Sequence, residues 1–346
     1  MNYELFQPNA QKSIYLIDMK HEKWYFSELV EQSIAKHLKE HKKILILTNK
    51  TGYASGIFCT SCGHVPQCKQ CSISIGYHEA DNKLLYGLCS VCKSIYDTPK
   101  ACESCHKETL TLYGLTTQKT KERVEHTFAE KPFVIQAQEA SSFPKAIKTL
   151  EIIKTANIVI ATYSIIPSEP LALFDVVIVL AADQSLSLPD YSVKETTFYN
   201  LYRTFQLFDT KFFIVQTYDT DHASIRYACK ADEQSFLAED KIFRENNAYP
   251  PYGELCIIKY NHENETSLHN AIQNLYKELL YLQQSYSYEA IEIYTSSPLV
   301  YKKFGKFYYH LVLKGKDIRP FMDIAFSKLT MAKRWYKIDW MADSLL

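Results

Sequence analysis

Eight of the ten cysteines of this chain fall in four Cys-x-x-Cys pairs. A pair with this spacing places two thiolates on one tight turn, and two such turns can close a tetrahedral four-cysteine zinc site. The spacing therefore predicts two zinc ions in a module of about fifty residues. The predicted ligands are Cys59, Cys62, Cys68, Cys71, Cys89, Cys92, Cys102 and Cys105.

A disulfide framework is the alternative for such an array, and the rest of the sequence disfavours it. The first residues, Met-Asn-Tyr-Glu, contain no basic stretch followed by an apolar one, so we expect no secretory signal. The longest apolar runs, such as residues 174–182, are far shorter than the roughly 18 residues of a membrane span. We expect a cytoplasmic protein whose thiols stay reduced and bind metal. Cys229 and Cys256 stand alone and are expected to be small buried apolar residues.

Zinc held by four thiolates has no open coordination position, so the predicted ions are structural and the surface around them becomes the functional question. Cationic and aromatic side chains in the module suit phosphate contact combined with base stacking. The alternative is a solvated charged face with tyrosines packed in a thin core. The candidates are His64, Lys69, Tyr77, His78, Lys83, Tyr86, Lys93 and Tyr96, of which Lys69, His78, Lys83 and Lys93 are the predicted nucleic-acid contacts.

Charge and length set further limits. Lysine plus arginine and aspartate plus glutamate each number 39, which gives a formal net charge of zero. No global field draws the protein to nucleic acid, so any such contact must come from a local patch. A chain of 346 residues is long enough for two or three domains.

Short apolar runs alternate with helix-like segments on both sides of the module, which indicates an α/β fold with a parallel sheet. Ser27 is expected to cap the first helix. Residues 1–12 are expected to be a polar lead-in, and the module is expected to enter after the first strand. The runs are residues 43–48, 133–136, 157–162, 175–180 and 212–217, and the helix-like segments are 27–39, 119–129, 143–155 and 192–208.

A different pattern begins near Tyr249-Pro250-Pro251-Tyr252. Its order of elements is βαββαβ, which predicts a compact α+β domain. The rings around residues 304–309 and 333–336 are expected to pack in the core, and a basic face with Lys302, Lys303, Lys306 and Arg319 is the alternative. The strands are expected at 254–260, 290–295, 307–314 and 334–340, and the helices at 267–285 and 317–331.

Several short stretches, together with the cysteine array, resemble the carboxy-terminal half of the PriA family of replication-restart helicases. They keep the family's order from residue 13 to the end. The resemblance implies a RecA-like second helicase lobe (residues 1–54 and 109–245), interrupted by a double zinc module (55–108) and followed by a small α+β domain (246–346). It also implies that Cys59, Cys62, Cys102 and Cys105 share one ion and that the inner pairs share the other. The matching stretches are residues 17–23, residues 47–53, Ala182-Asp183, Pro189-Asp190-Tyr191 and Tyr249-Pro250-Pro251-Tyr252.

The features that such a helicase needs for ATP hydrolysis are missing or altered. The sequence contains no G-x-x-x-x-G-K-[ST] phosphate-binding loop. By the resemblance, Ala161-Thr162-Tyr163 replaces the Gly-Thr-Gln of the second lobe, and Leu207 and Thr210 take the places of two arginines. Without these cations, charge on a transferred phosphate has no protein counter-charge. We expect no ATP site and no ATPase activity of the chain by itself.

These features predict a zinc-containing DNA-binding or primosome-assembly protein in replication restart. The resemblance implies forked or single-stranded DNA, single-strand-binding protein and primosome proteins as partners, and no membrane. Two alternatives stay open. One is the second lobe of a split ATP-dependent DNA helicase, which the altered arginine positions disfavour. The other is a protein-interaction scaffold that does not bind DNA, with which zero net charge is compatible.

Overall fold

The computed structural model describes residues 3–22, 25–49, 56–71, 73–80, 84–114, 116–135, 151, 153–167, 169–188, 190–298, 300–328, 336–340 and 342. The strands are β1 (Tyr3–Asn9), β2 (Lys12–Asp18), β3 (Ile44–Thr48), β4 (Gly56–Cys59), β5 (Gly76–Glu79), β6 (Leu85–Leu88), β7 (Ile95–Asp97), β8 (Leu110–Tyr113), β9 (Phe133–Val134), β10 (Ile158–Thr162), β11 (Val176–Val179), β12 (Phe212–Thr217), β13 (Glu254–His262), β14 (Glu292–Ser296), β15 (Lys302–Lys303), β16 (Lys306–Gly315) and β17 (Tyr336–Trp340). The helices are α1 (Glu28–Lys39), α2 (Thr117–Phe128), α3 (Val193–Leu207), α4 (Ala223–Lys230), α5 (Glu233–Asn246), α6 (Glu265–Ser285) and α7 (Ile318–Lys328).

A seven-stranded sheet of order β1-β2-β12-β11-β3-β10-β9 forms the centre of the larger part of the molecule. All its neighbouring strands pair in parallel except β1 with β2. Strands β3 and β11 are buried along their whole length, with apolar side chains entering a core cluster on each face. Parallel strands joined by helical crossovers are covered on both faces, which requires such uniformly apolar strands. The predicted mixed α/β fold with a parallel sheet is confirmed.

The expectation of a polar lead-in over residues 1–12 is wrong. Strands β1 and β2 form an antiparallel hairpin, whose turn is held by Asn9 Oδ1 accepting from the N–H groups of Gln11 (3.0 Å) and Lys12 (2.9 Å). Strand β1 is an edge strand that buries only Phe6, so its sequence lacks a strong apolar signal. Consequently the cysteine module enters after β3, the third strand, and not after the first.

The predicted helix cap at Ser27 is confirmed. The Ser27 hydroxyl accepts from the Val30 N–H at 3.3 Å, and α1 buries Val30 and Ile34 against the sheet. The predicted helices 119–129 and 192–208 correspond to α2 and α3. Most of the predicted helix 143–155 lies outside the described residues, and residues 153–155 at its end are helical.

Two helices in the larger part of the molecule, α4 and α5, were not predicted from the sequence. Helix α4 is capped by His222 and α5 by Asp232, whose carboxylate accepts from the Ser235 N–H at 3.0 Å. Helix α5 buries few apolar side chains, among them Phe236, which stacks on Phe198 of α3 with ring centroids 4.0 Å apart. A helix that buries little apolar surface gives only a weak periodic pattern.

An antiparallel sheet of order β14-β16-β13-β17, with β15 also paired to β16, follows in the chain. Helices α6 and α7 cover one face, where Leu268, Ile272 and Phe321 pack against Ile258 and Leu311. The order of elements is the predicted βαββαβ with the short β15 added. Residues 333–335 of the predicted last strand lie outside the described residues. In the described part of the chain, no helix is both long and apolar enough to cross a membrane.

Candidate functional site

The four Cys-x-x-Cys pairs adopt one repeated turn. In each, the N–H of the first cysteine donates to the carbonyl oxygen five residues later. The acceptors are His64 (2.8 Å) for Cys59, Ile73 (2.8 Å) for Cys68, Ser94 (3.0 Å) for Cys89 and Lys107 (2.9 Å) for Cys102. This bond fixes the backbone so that both sulfurs of a pair lie on the same side of the turn.

In three of the four pairs, those whose following residue the structure describes, the residue after the second cysteine reverses the chain. Its N–H donates back to the first cysteine's carbonyl, as Gly63, Lys93 and His106 do at 2.8, 3.1 and 2.9 Å. All three have a positive φ, of 74°, 62° and 59°. Glycine adopts this conformation without steric cost, whereas lysine and histidine do not, so the last two turns are maintained at a cost. Metal coordination would offset that cost.

The eight sulfurs form two groups of four. Cys59, Cys62, Cys102 and Cys105 form one group, Cys68, Cys71, Cys89 and Cys92 form the other, and within each group the ligand atoms all lie within 4.8 Å of one another. This is the grouping that the family resemblance implied. The two inner pairs are nested between the two outer pairs, so each group closes a loop of the chain.

The sulfur separations fit a tetrahedral metal site. Sγ–Sγ distances are 3.6 Å for Cys59–Cys105, Cys62–Cys102 and Cys68–Cys92. Four sulfurs about 2.3 Å from a central zinc would lie about 3.8 Å apart. None of the eight cysteines is in a disulfide. Two four-cysteine groups that suit metal ions are therefore present, as predicted.

Hydroxyl groups contact the sulfurs from outside each group. Thr109 Oγ1 lies 3.2 Å from Cys59 Sγ, and this hydrogen bond lowers the pKa of Cys59 to about 6. Ser94 Oγ lies 3.1 Å from Cys92 Sγ, and Tyr96 Oη lies 3.0 Å from Cys68 Sγ. Burial acts in the opposite direction and raises the pKa of Cys71 to about 12. A thiolate is the form that binds metal, so the Thr109 and Ser94 hydroxyls would assist ligation by Cys59 and Cys92.

Each group joins a small sheet. The first group begins at the end of β4, which pairs with β8 in a two-stranded sheet. The second group flanks the three-stranded sheet β5-β6-β7, whose apolar contacts are few, such as Ile57 and Ile75. A core this thin cannot maintain three short strands alone, and a metal ion in each cysteine group would supply the cross-links that the module needs.

The predicted nucleic-acid contacts differ in exposure. Lys69 and Lys93 are exposed. His78 is half-buried and stacks on Tyr86 of the neighbouring strand at 5.8 Å, and burial followed by the charge of nearby Lys93 lowers the pKa of His78. Lys83 lies outside the described residues. Contact of any of them with nucleic acid stays a prediction.

The aromatic and histidine candidates divide further. Tyr77 is only 1% exposed and packs in the module's core, so its assignment as a contact is wrong and the alternative of a core tyrosine holds for it. His64, Tyr86 and Tyr96 are half-buried. The Tyr96 hydroxyl also accepts from the Lys69 N–H at 3.1 Å, which makes Tyr96 a part of the cysteine turn.

A polar cavity of about 510 Å³ lies at the carboxyl edge of the parallel sheet and is lined by Tyr25, Lys119, Asp183, Gln216 and Tyr218 among others. Two of its polar side chains are engaged by neighbours. Asp183 Oδ1 accepts from the Thr217 hydroxyl at 2.9 Å and from the Tyr218 N–H at 3.1 Å. Gln216 Oε1 accepts from the Ser27 N–H at 2.8 Å. These bonds tie the strand ends together. The sequence reading did not identify this cavity, because its residues come from separate segments.

The two positions where the resemblance places arginines lie at the other edge. Leu207 ends α3, and Thr210 is 6% exposed just before β12. The Thr210 hydroxyl donates to the Asp175 carbonyl oxygen at 2.6 Å, before β11. Cys229 and Cys256 are both buried, at 0% and 1% exposure, as predicted.

The chain is similar to curated replication restart proteins named PriA from several bacteria. The PriA of Bacillus subtilis is 28% identical over 262 residues, covering 74% of this chain and 31% of that protein. The PriA of Borreliella burgdorferi is 26% identical over 324 residues, covering 90% and 47%, and that of Thermotoga maritima is 26% identical over 348 residues, covering 94% and 43%. No family model matches the chain.

These similarities confirm the resemblance to the PriA family. The chain spans less than half the length of these curated relatives, which is consistent with a carboxy-terminal half.

Proposed function

We propose that this chain is a zinc-containing, DNA-binding factor of replication restart that does not hydrolyse ATP by itself. The observation that carries the proposal is the pair of four-cysteine groups on repeated turns, in a chain that is similar to restart proteins over most of its length. The similarity to PriA proteins suggests replication restart as the process. The cysteine groups indicate the part of the chain that would present a fixed surface to a partner.

Zinc is the metal that the donor set favours. Four thiolates at tetrahedral separations suit Zn²⁺ far better than magnesium or calcium, which prefer oxygen ligands. Each ion would cross-link two turns and leave no position for a substrate. Its contribution would be to fold the module and fix the directions of the side chains on its surface.

Lysines on the module would supply the electrostatic part of DNA binding. Each four-thiolate zinc centre carries a formal charge of about minus two, so the module needs cations to attract a phosphate backbone. Lys69 and Lys93 each belong to a cysteine turn and are exposed, and Lys93 lies near His78. We propose these residues, together with Lys83, as contacts to forked or single-stranded DNA.

The remaining architecture would act as a scaffold. We propose that residues 1–54 and 109–245 form a RecA-like second lobe around the cysteine module (residues 55–108), and that residues 246–346 form an α+β domain. By the same family argument, single-strand-binding protein and primosome proteins would be the protein partners, in the cytoplasm. The two positions where the resemblance places arginines support the absence of ATPase activity. Leu207 is apolar, and the Thr210 hydroxyl is already hydrogen-bonded.

The first test is fluorescence anisotropy of a labelled DNA fork and of a plain duplex across a salt series. We expect preference for the fork and a binding constant that falls steeply with salt. A Lys69→Gln/Lys93→Gln variant should bind more weakly and lower the salt slope by about 2, since each phosphate contact contributes about 1. Lys277→Gln, an exposed lysine on α6, serves as the matched control and should leave both quantities unchanged.

A Cys89→Ser/Cys92→Ser variant then tests the module as a whole. Loss of fork preference in this variant would support the proposal, provided that its α/β core stays folded by circular dichroism. Negligible salt-dependent binding by the unaltered protein would overturn the DNA function and favour the scaffold alternative. DNA-stimulated ATP hydrolysis by the chain alone would overturn the absence of ATPase activity.

A further inference from the structure

Strands β15 and β16 form a tight hairpin whose two-residue loop is Phe304-Gly305. Both residues have a positive φ, 49° and 75°. Two-residue hairpin loops with this backbone strongly favour asparagine, aspartate or glycine, because a bulky side chain is costly at positive φ. The chain places a phenylalanine at the first loop position, where packing cannot compensate because the ring projects from the tip.

The Phe304 ring is 63% exposed. The expectation that it packs in the core is therefore wrong, although Phe307 and Tyr309 on the same strand do pack against the core cluster of the antiparallel sheet. Lys303 Nζ lies 5.3 Å from the centroid of the Phe304 ring. The tip thus combines an exposed aromatic ring with a cation over one of its two faces.

Positive charge is concentrated on the hairpin at an energetic cost. Lys303 lies directly opposite Lys306 across the two strands. Like charges at facing positions destabilise a strand pair. Within the described residues, no carboxylate lies at ion-pair distance from Lys302, Lys303 or Lys306. A bound polyanion would relieve this repulsion.

The base of the hairpin adjoins the cysteine module. Val300, two residues before β15, packs against the module's core cluster, which contains Ile57 and Tyr77. This contact positions the hairpin beside the module. A strand of DNA bound on the side of the module that Val300 contacts would therefore lie near the hairpin.

We propose that the hairpin of residues 302–306 contacts single-stranded DNA, with an unpaired base stacked on Phe304 and Lys303 and Lys306 against the flanking phosphates. This proposal rests on the DNA-binding function proposed above. Base stacking on a side-chain ring needs one open ring face and nearby cations, and it tolerates any base. An anchor for a protein partner would instead sit within a larger apolar patch or groove.

The test uses a fork and an oligothymidylate, each with a fluorescent label for anisotropy, and a fork with 2-aminopurine at the junction. Phe304→Ala and Phe304→Leu should weaken binding about tenfold, while Phe304→Trp should retain it, because only tryptophan keeps a ring face. In the unaltered protein, 2-aminopurine fluorescence should be quenched on binding, and Phe304→Leu should abolish the quenching. The matched control is Tyr281→Ala, an exposed ring on α6 (70% exposed), which should change neither signal.

Charge is tested separately. Lys303→Gln/Lys306→Gln should lower the salt slope for oligothymidylate by about 1.4, because each contact to single-stranded DNA contributes about 0.7. These substitutions lie at an exposed tip, and an unchanged zinc content and urea midpoint would confirm that the variants fold.

The outcomes separate this inference from the proposed function. If the unaltered protein binds the fork and Phe304→Ala binds it equally well, the hairpin contact is refuted and the proposed function stands. Retention of binding by Phe304→Leu refutes base stacking in favour of a general apolar contact. If the unaltered protein binds no DNA, both proposals fail. If the hairpin variants lose binding only to a protein partner, the hairpin is a protein-docking element and the inference is overturned.

Discussion

The ring of Tyr191 stacks on the ring of Tyr249, with centroids 4.5 Å apart and planes 9° apart. Arg244 lies over the Tyr191 ring at 5.1 Å, and Lys314 of β16 lies over the Tyr249 ring at 4.8 Å. The Tyr191 hydroxyl donates to the Ala342 carbonyl oxygen at 2.9 Å. The stack therefore joins the segments beside α3 and α5 to the antiparallel sheet.

Removing one ring of this stack should destabilise the protein. Tyr191 is 6% exposed, and Tyr191→Ala should lower the free energy of unfolding by about 3 kcal/mol, through lost burial, a cavity and the lost stack. Urea denaturation followed by tryptophan fluorescence measures the change. Tyr281→Ala, at an exposed site, should stay within about 0.5 kcal/mol of the unaltered protein. Equal losses in the two variants would refute a structural role for the stack.

The guanidinium of Arg244 forms the centre of a buried polar network. It donates to Asp240 Oδ2 at 2.5 Å, to Glu195 Oε2 at 2.6 Å and to the Pro250 carbonyl oxygen at 2.9 Å. Arg244→Met leaves the Asp240 carboxylate, which is 9% exposed, without its cation. We therefore expect this substitution to lower the free energy of unfolding by about 3–5 kcal/mol.

Replacing both Arg244 and Asp240 should lower the free energy of unfolding less than replacing Arg244 alone. Arg244→Met/Asp240→Leu removes the uncompensated charge and should recover part of the lost stability in the same urea assay. Glu195→Gln, whose side chain is 43% exposed, should cost less than about 1 kcal/mol. If the double variant lost as much stability as the Arg244→Met and Asp240→Leu single variants lose together, the ion pair would not be the source of the destabilisation.

His222 should make stability depend on pH. Its Nδ1 accepts from the Ser224 N–H at 3.2 Å at the start of α4, which requires an unprotonated nitrogen. Burial, assisted by the charge of Lys194, lowers the pKa of His222 below its usual value, although nearby carboxylates such as Asp219 oppose the shift. The folded state therefore binds fewer protons than the unfolded state near this pKa.

The sign of the effect follows from this difference. The stabilisation is present above the unfolded pKa of about 6.5 and is lost as the pH falls through the lower folded pKa. The free energy of unfolding of the unaltered protein should decrease between pH 7 and pH 5, and His222→Asn should show a smaller decrease, because asparagine also caps helices and does not titrate. Zinc content is measured at each pH in both proteins. Any fall in the free energy of unfolding that comes from metal loss is then common to both and can be subtracted. Parallel pH profiles would count against His222 as the titrating cap.

Each four-cysteine group should lose its metal independently. Cys105→Ser and Cys92→Ser interrupt different groups, so each variant should retain about one zinc ion by elemental analysis, where the unaltered protein has about two. Cys256→Ala, outside both groups, should retain two. In hydrogen exchange, Cys105→Ser should expose the β4–β8 pair and Cys92→Ser the β5-β6-β7 sheet. Loss of both ions from either variant would show that the two groups fold as one unit.

The sequence reading succeeded where short-range chemistry decides structure. The Cys-x-x-Cys turns, the Ser27 cap and the apolar runs of β3 and β11 could all be assigned because each depends on residues within a few positions of one another. It missed β1, which buries one side chain at a sheet edge, and α5, whose apolar surface is small. It also left open whether Tyr77 lies on the surface or in the core, and it expected Phe304 in the core, because residue type alone does not tell which side chains the tertiary structure covers.

By itself, therefore, the sequence determined that this protein has eight thiolates on four equivalent turns and a mainly parallel sheet with the cysteine module inserted. Spacing along the chain sets both, because a two-residue gap fixes a turn and an apolar run requires burial. Only the tertiary structure decided how distant segments meet. It placed Tyr191 against Tyr249, Val300 against the module's core, and Phe304 in solvent at a hairpin tip. These relations depend on how the two sheets and the module pack together, and contacts between distant segments leave no periodic signal in the chain.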